Sequence, residues 1–300
     1  MKPVLSVVIP SYNRVEKLKE CLLRLEEQSL EKSFYEIWVV DDGSTDETPQ
    51  FLKEWKNPSK GRHVLLQKNQ GQGIARNKAM EHVLGEIVLF MGDDIYASPT
   101  FLEAHHHFHK KNPQKNRACL GLTEWDPQHT ITPFMEWMTN GGYQFDYGSL
   151  KDGEITDFWH FYTSNLSIKT ALLKKNGFST AFKGYGWEDI ELAYRLEKNE
   201  DLKLVYSSEA LAHHDHLLEE KDLERKMQSL VKNGKIFEKL HPKIKVLPTG
   251  PKRLAFQMLG SSLVIQILKI VRLIFPKTAQ KKIWYALSKR YFLRALQLLE

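Results

Sequence analysis

The chain has 300 residues, of which 42% are hydrophobic and 11% aromatic, as expected for a globular protein with one large or two modest domains. Two cysteines, Cys21 and Cys119, are too few for a disulfide framework and indicate a reducing compartment. The net charge of +6 and the pI near 9 suit an anionic partner such as nucleic acid, phospholipid or an anionic small molecule. The first apolar run ends at Pro10 and is too short for a signal-peptide core, so we expect the protein not to be secreted.

The first hundred residues alternate between predicted strands and predicted helices. Apolar runs predict strands at residues 5–9, 37–40, 64–66 and 86–91. Helical spacing predicts helices after Asn13, Pro49, Gly71 and Pro99. Asn13 and Glu16 have the spacing of a capping box. This order predicts an α/β fold whose sheet is mostly parallel, with helices on both faces and right-handed crossovers.

The pattern loosens from Arg117 to Gly153, where we predict loops with little regular structure. Aromatic residues are frequent there, namely Trp125, Trp137, Tyr143, Phe145 and Tyr147. Aromatic side chains on loops either stack on a ligand or simply pack, and packing is the commoner use. Regular structure is predicted again at 164–169 (strand), 170–175 (helix), 189–197 (helix) and 203–206 (strand).

The last part of the chain is predicted to be helical and basic. Residues 254–275 form a long apolar run, but Lys269 and Arg272 interrupt it, and residues 281–300 have a similar character. Basic amphipathic helices lie on anionic membrane surfaces, and the alternative is packing against the main domain or a second subunit. We therefore predict a main domain at 1–219, with halves at 1–116 and 117–219, and a helical C-terminal extension at 220–300.

Pairs of acidic residues follow three segments of the main domain. The pairs are Asp41-Asp42 after a strand, Asp93-Asp94 after a strand and Gly92, and Glu188-Asp189 after Gly186-Trp187. The carboxyl ends of parallel strands meet at one edge of a sheet, where open α/β sheets bind ligands. Carboxylates gathered at this edge repel one another, and a divalent cation or a hydrogen-bond donor would relieve the repulsion.

Each candidate residue of the donor half has a functional and a structural interpretation. Asp93 and Asp94 can hold Mn²⁺ or Mg²⁺ beside substrate phosphates, or can cap the next helix. Asp41 can accept from a nucleobase or a ribose hydroxyl, or can cap its own turn, as Asp42 also can. Arg76, one turn into a helix opened by Gly71-Gln72-Gly73, can meet a phosphate or can be solvent-exposed.

The second half of the main domain contains a candidate base and two groups of histidines. A carboxylate of Glu188-Asp189 can act as general base, or the pair can cap a helix. His213, His214 and His216 follow the last predicted strand and can add an imidazole to a metal site. The second histidine group falls on several faces of one helix and is expected to be mostly solvated: His105, His106, His107 and His109.

Six segments together resemble the family 2 glycosyltransferases with the GT-A fold, including a Glu-Asp motif like that of the galactosyltransferase-type acceptor half. The segments are 8–14, 40–46, 69–77, 90–94, 164–167 and 184–192, and the resemblance covers about residues 3–217. The family pattern has an acid two residues before Asp93, where this chain has Met91. This departure leaves open whether Asp93 or Asp94 is the direct metal ligand. The tail after residue 220 has no counterpart in the resemblance.

The resemblance implies a role for each matching residue. It implies Asp189 as the base, Glu188 beside it holding the acceptor, and Trp187 and Asn165 as further acceptor contacts. It places the nucleotide against Pro10, Ser11, Tyr12, Arg14, Asp41, Asp42, Arg76 and Asp93. It implies Asp94, with Asp93, as metal ligands, His214 as the C-terminal ligand and His216 as the substitute candidate.

The expected function is metal-dependent, inverting transfer of a sugar from a nucleotide-sugar, with UDP as the expected nucleotide. The expected acceptor is a hydroxyl of a saccharide or lipid-linked saccharide in cell-surface glycan synthesis. We expect a cytoplasmic protein, peripheral on the inner face of the membrane through residues 254–300, with no nucleic-acid partner. Two alternatives stay open: a nucleotide-sugar-binding protein without transfer activity, and a nucleic-acid binder that uses the basic tail.

Overall fold

The computed structural model describes residues 2–139, 143–184 and 186–299. The strands are β1 Leu5–Ser11, β2 Tyr35–Asp41, β3 Arg62–Leu66, β4 Ile87–Met91, β5 Ile95–Ala97, β6 Arg117–Trp125, β7 Ile155–Thr156, β8 Asn165–Lys169 and β9 Lys203–His214. The helices are α1 Val15–Glu26, α2 Thr48–Trp55, α3 Gln72–Met80, α4 Phe101–Lys111, α5 Pro133–Thr139, α6 Thr170–Lys175, α7 Glu188–Glu200, α8 Asp222–Leu240, α9 Gly250–Leu259, α10 Ser262–Val271 and α11 Pro276–Gln297.

The strands form one mixed sheet in the order β3-β2-β1-β4-β8-β6-β9-β5, with β7 paired to β9. The neighbours from β3 to β4 are parallel, as predicted, and β6 is parallel to β9. Strand β8 is antiparallel to both β4 and β6, and β5 is antiparallel to β9. The predicted fold class is confirmed, with antiparallel pairs confined to the second half of the sheet.

Helices cover both faces of the sheet because side chains alternate along each strand. On one face, Leu5, Val7 and Ile9 of β1 join the core that includes Leu18 of α1 and Phe101 of α4. On the other face, the core joins residues of β1, β4, α3 and α7, among them Val8, Val88, Phe90, Ala75, Ala79, Leu192 and Leu196. The sheet is therefore buried on both sides, and its strand ends are free to carry polar groups.

Two predictions of local structure are wrong. Residues 117–125 were expected to be loop, but they form β6, which lies between β8 and β9 in the sheet. The Asn13–Glu16 capping box does not form, because α1 begins at Val15. Asn13 has φ +53°, and its side-chain oxygen instead accepts a 2.7 Å hydrogen bond from the backbone N–H of Thr45. Asn13 thus ties the loop after β1 to the loop after β2.

Contacts divide the chain into two compact units. The N-terminal unit comprises Met1–Ile131, Thr139–Thr180 and Glu188–His216, and the C-terminal unit comprises Thr132–Met138, Ala181–Trp187 and Leu217–Glu300. The sequence placed the boundary at residue 219 and assigned no earlier segment to the extension. In the C-terminal unit, Val231 of α8 packs with Leu247, Ala295 and Leu296, and Phe134 of α5 meets Trp284 edge to face at 5.3 Å.

Candidate active site

Three residues that were predicted to contact the nucleotide, Ser11, Asp41 and Asp93, lie at one edge of the sheet. They come from the carboxyl ends of β1 and β2 and from the turn after β4. Ser11 and Asp41 end two parallel strands at the same register position. The hydroxyl of Ser11 donates to Asp93 Oδ2 at 2.8 Å, and the backbone N–H of Asp42 donates to the carbonyl of Ser11 at 2.8 Å. These contacts are buried, so the edge predicted from the acidic pairs exists in the fold.

A carboxylate and two imidazoles converge beside this edge. Asp94 Oδ2 lies 3.5 Å from His214 Nε2 and 3.5 Å from His216 Nδ1. One ligand atom from each residue lies within 4.8 Å of the others, and Asp94 and His214 are buried. The set contains Asp94 and not Asp93, whose carboxylate is turned toward Ser11 and Arg14. An O/N/N set of this kind can hold a divalent transition-metal ion.

Arg14 and the histidines give the adjacent aspartates opposite pKa shifts. Arg14 Nη1 donates to Asp93 Oδ1 at 3.1 Å and to Asp94 Oδ2 at 2.7 Å. Burial opposes ionisation of Asp94, but His214, His216 and Arg14 hold its pKa well below the usual range. Burial, and then the charge of Asp94, raises the pKa of Asp93 to about 6. Asp94 is thus the ionised member of the pair.

Asp215, between the two histidines, is held by residues that the sequence analysis did not single out. Its carboxylate accepts from Tyr96 Oη at 2.6 Å and pairs with His129 Nε2 at 2.5 Å, and Lys17 donates to its carbonyl. Its backbone N–H donates to the carbonyl of Asp94 at 2.9 Å. The alternation His-Asp-His was the available signal, because alternate residues of an extended chain share a side.

The remaining residues predicted to contact the nucleotide differ in how many of their polar atoms already make hydrogen bonds within the chain. Pro10 is buried in β1, and Tyr12 is exposed on the loop that follows. Asp41 accepts from the backbone N–H of Ser44 at 3.1 Å through one oxygen. Asp42 uses both oxygens, accepting from Gln67, from Gln70 and, at 2.8 Å, from the N–H of Gly71, whose φ is +98°. Its carboxylate therefore holds the turn into α3, as the structural interpretation of an acid that caps a turn requires, and its contact with the nucleotide stays a prediction.

A second buried group of polar side chains lies where α3 faces the start of α7. Gln72 Nε2 donates to Glu188 Oε1 at 2.5 Å, and Arg76 Nη1 lies 3.6 Å from the same oxygen. Burial, followed by the charge of Asp189, raises the pKa of Glu188 to about 7, and burial also raises the pKa of Asp189. Arg76 is thus buried beside the acidic pair and is not the solvent-exposed arginine of the alternative interpretation.

Arg76 is also enclosed by aromatic rings, which connects this group to β4. Its guanidinium lies 5.9 Å from the ring centroid of Phe90 and 5.5 Å from that of Phe178. Within the described part of the chain, Arg76 Nε and Nη1 and Glu188 Oε2 make no hydrogen bond, although they are buried. Buried polar atoms without partners are uncommon, and a bound water, ion or ligand is one way in which they are satisfied.

Two residues predicted to contact the acceptor have structural partners. Asn165 is fully buried, and its amide donates to the carbonyls of Leu122 and Ala210 at 3.0 and 2.9 Å. Its oxygen accepts from His105 Nε2 at 2.9 Å, so the Asn165 amide is used within the fold, and its contact with the acceptor stays a prediction. Trp187 has φ +78°, and its indole N–H donates to the carbonyl of Leu230 at 2.9 Å. Tyr185, inside the same motif, lies outside the described residues.

Two histidines of α4, expected to be solvated, are buried. His105 Nδ1 accepts from the hydroxyl of Ser167 at 2.8 Å, and His109 Nε2 lies 2.9 Å from the same oxygen. Burial lowers the pKa of His105 to about 4, so its imidazole is neutral. His213 belongs to β9 opposite Tyr96 and is not part of the metal-ligating group.

The aromatic residues near the site serve mainly as packing. Trp125 stacks on His214 with ring centroids 5.3 Å apart and planes at 10°, and Phe145 lies 5.5 Å from the same imidazole. Tyr147 packs edge to face on Tyr162 at 5.6 Å. Trp125 and Phe145 hold His214 in place, in line with the packing interpretation of the loop aromatics.

The sequence is similar to that of known proteins, and the family match covers the part that contains Asp93 and Asp94. Residues 6–119 match the model of the family described as Glycosyl transferase family 2. The chain is 27% identical over 267 residues to validoxylamine A glucosyltransferase of Streptomyces hygroscopicus subsp. jinggangensis, covering 81% of this chain and 62% of that protein. It is 35% identical over 109 residues to poly(ribitol-phosphate) beta-N-acetylglucosaminyltransferase TarS of Staphylococcus aureus, covering 34% and 19% of the two chains. The chain thus spans about three fifths of the length of the validoxylamine glucosyltransferases.

Solved structures show the same fold at low sequence identity. The mannosyltransferase PcManGT of Pyrobaculum calidifontis, in complex with GDP-Man and Mn²⁺, aligns with a TM-score of 0.63 at 17% identity, covering 100% of this chain and 89% of that one. S. aureus TarS in complex with UDP-GlcNAc aligns with a TM-score of 0.55 at 19% identity, covering 98% and 92%. Residues 6–119 are therefore similar to glycosyl transferase family 2, and the chain has a GT-A-like fold.

Proposed function

We propose that this protein transfers a sugar from a nucleotide-sugar, with UDP as the nucleotide, to a hydroxyl group of a saccharide or lipid-linked saccharide. Transfer depends on a divalent metal ion and inverts the anomeric configuration. The observation that carries the proposal is that the N-terminal unit contains both the Asp94–His214–His216 group and the buried Glu188–Asp189 pair at the start of α7. The first group suits a metal and diphosphate, and the second suits a general base.

The metal end is supported by the donor set of this structure. Asp94, His214 and His216 would hold the ion, and the ion would offset charge on the departing nucleoside diphosphate. Two imidazoles beside one carboxylate favour Mn²⁺ over Mg²⁺, because Mg²⁺ prefers oxygen ligands. Ser11 and Arg14 hold Asp93 next to this group, and in this proposal Asp93 would accept a hydrogen bond from the ribose.

The assignment of a general base is supported by the pKa shifts of Glu188 and Asp189. The charge of Asp189 is one of the causes that raise the pKa of Glu188 to about 7, so Asp189 loses its proton first. An ionised Asp189 beside a protonated Glu188 supplies one base and one hydrogen-bond donor near neutral pH. Asp189 would take the proton of the acceptor hydroxyl, which then attacks the anomeric carbon from the face opposite the diphosphate. One displacement inverts the configuration.

The acceptor class is inferred from the names of relatives. One aligned protein is named for transfer to poly(ribitol-phosphate), and another, TuaG of Bacillus subtilis, is named as a putative teichuronic acid biosynthesis glycosyltransferase. Both names refer to hydroxyl-bearing polymers. We therefore infer an acceptor of this kind and a place in cell-surface glycan synthesis.

Calorimetry with UDP, GDP, dTDP and CDP, each with and without Mn²⁺, tests the donor site. We expect one nucleotide, UDP, to bind tightly only with the metal. Asp94→Asn and His214→Ala should abolish the gain from Mn²⁺, whereas Glu81→Gln, at an exposed acid on the surface, should keep it. Equal binding with and without Mn²⁺ would contradict the metal assignment. Metal-dependent binding without turnover on any acceptor would favour a nucleotide-sugar-binding protein.

A further inference from the structure

The helix pair α9–α10 carries a row of exposed apolar side chains. Leu263, Ile267, Ile270 and Ile274 recur at intervals of four, three and four residues, which places them on one side of α10 and its continuation. Leu263 and Ile270 are 66% and 65% exposed, and Leu273 is 82% exposed. Leu254 and Met258 of α9 are exposed as well. We call Leu254, Met258, Leu263, Ile267, Ile270 and Ile274 the apolar row.

The following helix uses its apolar residues differently. In α11, Ile283, Trp284 and Leu296 are buried within the C-terminal unit. Of the two segments that were expected to be amphipathic, the second is thus held by protein packing, and the first leaves its apolar side chains in solvent. A contiguous exposed apolar surface of this kind indicates an interaction site.

The geometry of the pair is fixed by α11. Gly260 separates α9 from α10, and its carbonyl accepts from Arg290 Nε at 2.7 Å. A Cβ at Gly260 would lie 2.8 Å from the backbone nitrogen of Arg290, so only glycine fits this close approach. The apolar row is therefore presented on a bent, preorganised support and needs no refolding to bind.

The length of the helices limits the mode of binding. Among the described residues, no single helix is long and apolar enough to cross a membrane; α9 and α10 pass only as a pair, bent by 47°. Each has 10 residues, and a helix of that size is about 15 Å long, half of a bilayer's hydrocarbon thickness. This length suits a helix pair that lies in the interface.

The positive charge around the apolar row indicates what kind of partner it binds. Between residues 239 and 299 the sequence has 13 lysines and arginines and no aspartate or glutamate. Lys269, Lys277, Lys281 and Lys282 are exposed on or beside the pair. A second copy of this chain would bring the same positive charge to the contact and be repelled. An anionic lipid surface complements both the charge and the apolar row.

We propose that α9 and α10 bind the interface of an anionic bilayer, with the apolar row inserted below the headgroups and the lysines at the phosphates. The cytoplasmic leaflet carries negative lipid, so this surface would place the protein on the inner face of the membrane. The inference is independent of the proposed transfer activity, because it rests on residues of the C-terminal unit alone.

Flotation of the full chain with vesicles tests the proposal. Vesicles of phosphatidylcholine with phosphatidylglycerol should carry the protein at low salt, and vesicles of phosphatidylcholine alone should carry far less. Leu263→Gln/Ile267→Gln/Ile270→Gln should reduce binding on the order of 100-fold or more, because three buried aliphatic side chains are lost. Lys277→Gln/Lys281→Gln/Lys282→Gln should reduce it on the order of 100-fold and weaken its salt dependence. The matched control, Lys110→Gln/Lys111→Gln/Lys115→Gln on the N-terminal unit, should bind as the parent does.

An environment-sensitive label gives a second readout. Both natural cysteines are buried, so a fluorophore on Ile270→Cys reports that position alone. Its emission should shift to the blue with anionic vesicles, and a label on Gln114→Cys, at an exposed site of the N-terminal unit, should not shift. Absence of binding to anionic vesicles by a folded, UDP-binding protein would overturn the proposal while leaving the donor site intact. A dimer that is broken by the three Gln substitutions, without vesicle binding, would overturn it too.

Discussion

Arg76 Nη1 lies 3.6 Å from Glu188 Oε1, and both side chains are only 3% exposed. A carboxylate paired with arginine normally has a lowered pKa, but here burial and the charge of Asp189 outweigh Arg76, and the pKa of Glu188 rises to about 7. The folded protein therefore keeps a protonated carboxyl at Glu188, next to the proposed base Asp189. We therefore expect Glu188 to make the free energy of unfolding depend on pH.

Glu188→Gln should remove a pH-dependent loss of stability. The folded chain keeps a proton on Glu188 up to about pH 7, whereas the unfolded chain releases it near the ordinary value of 4.5. The stability that this proton contributes is present at low pH and declines as pH rises from about 4.5 to about 7. Denaturant unfolding of parent and variant across this window should show the parent losing stability relative to the variant as pH rises. A difference that does not change with pH would contradict the raised pKa, and Glu81→Gln serves as the exposed control.

Arg14→Gln should tighten the binding of Mn²⁺ in the absence of nucleotide. The guanidinium competes for Asp94 Oδ2, to which it donates at 2.7 Å. Because the Arg14 side chain is 40% exposed, its loss should change affinity by a few-fold to about tenfold. Calorimetric titration with Mn²⁺ measures the effect. Arg24→Gln, which removes an exposed pair with Glu20, should leave affinity unchanged, and weaker Mn²⁺ binding by Arg14→Gln would contradict the competition.

Asn165→Ala should destabilise the fold and leave acceptor recognition unchanged. The substitution leaves the carbonyls of Leu122 and Ala210 and the imidazole of His105 without their partner. We expect a cost of about 3 kcal/mol or more in the free energy of unfolding. Asn116→Ala, which removes an exposed bond to Asp201, should cost less than about 0.5 kcal/mol. If Asn165→Ala raised the KM for the acceptor and left stability unchanged, the result would support a direct contact between Asn165 and the acceptor.

The sequence alone predicts the first half of the sheet and the edge of the site because those features are local. β2 and β4 contain the apolar runs 37–40 and 87–91, and Asp41-Asp42 and Asp93-Asp94 come at or just after their ends. The His-Asp-His segment at the end of β9 was likewise visible as a candidate ligand set. In each case a short stretch of chain contains both the strand and the polar group that the strand positions.

The features that sequence reasoning missed depend on distant partners. β6 was predicted to be loop because the sequence pattern loosens after Arg117. Within this strand, a Cβ at Gly121 would lie 2.2 Å from Asn165 Oδ1. The glycine is required by a side chain 44 residues away, as the two residue numbers show. His105 and His109 were expected in solvent because the four histidines fall on several faces of one helix, whereas Ser167 of β8 offers these two a buried hydroxyl. No local pattern carries that information.

We propose that Asp189 deprotonates the acceptor hydroxyl during metal-dependent transfer. The most direct test is to measure both sugar transfer and UDP binding in Asp189→Asn. With UDP-sugars, Mn²⁺ and a polyol or saccharide acceptor, the parent should transfer sugar. The variant should lose about 10²–10⁴-fold in turnover while binding UDP with Mn²⁺ as tightly as the parent. Turnover equal to that of the parent would contradict the assigned base, and loss of UDP binding would contradict the separation of base and donor site.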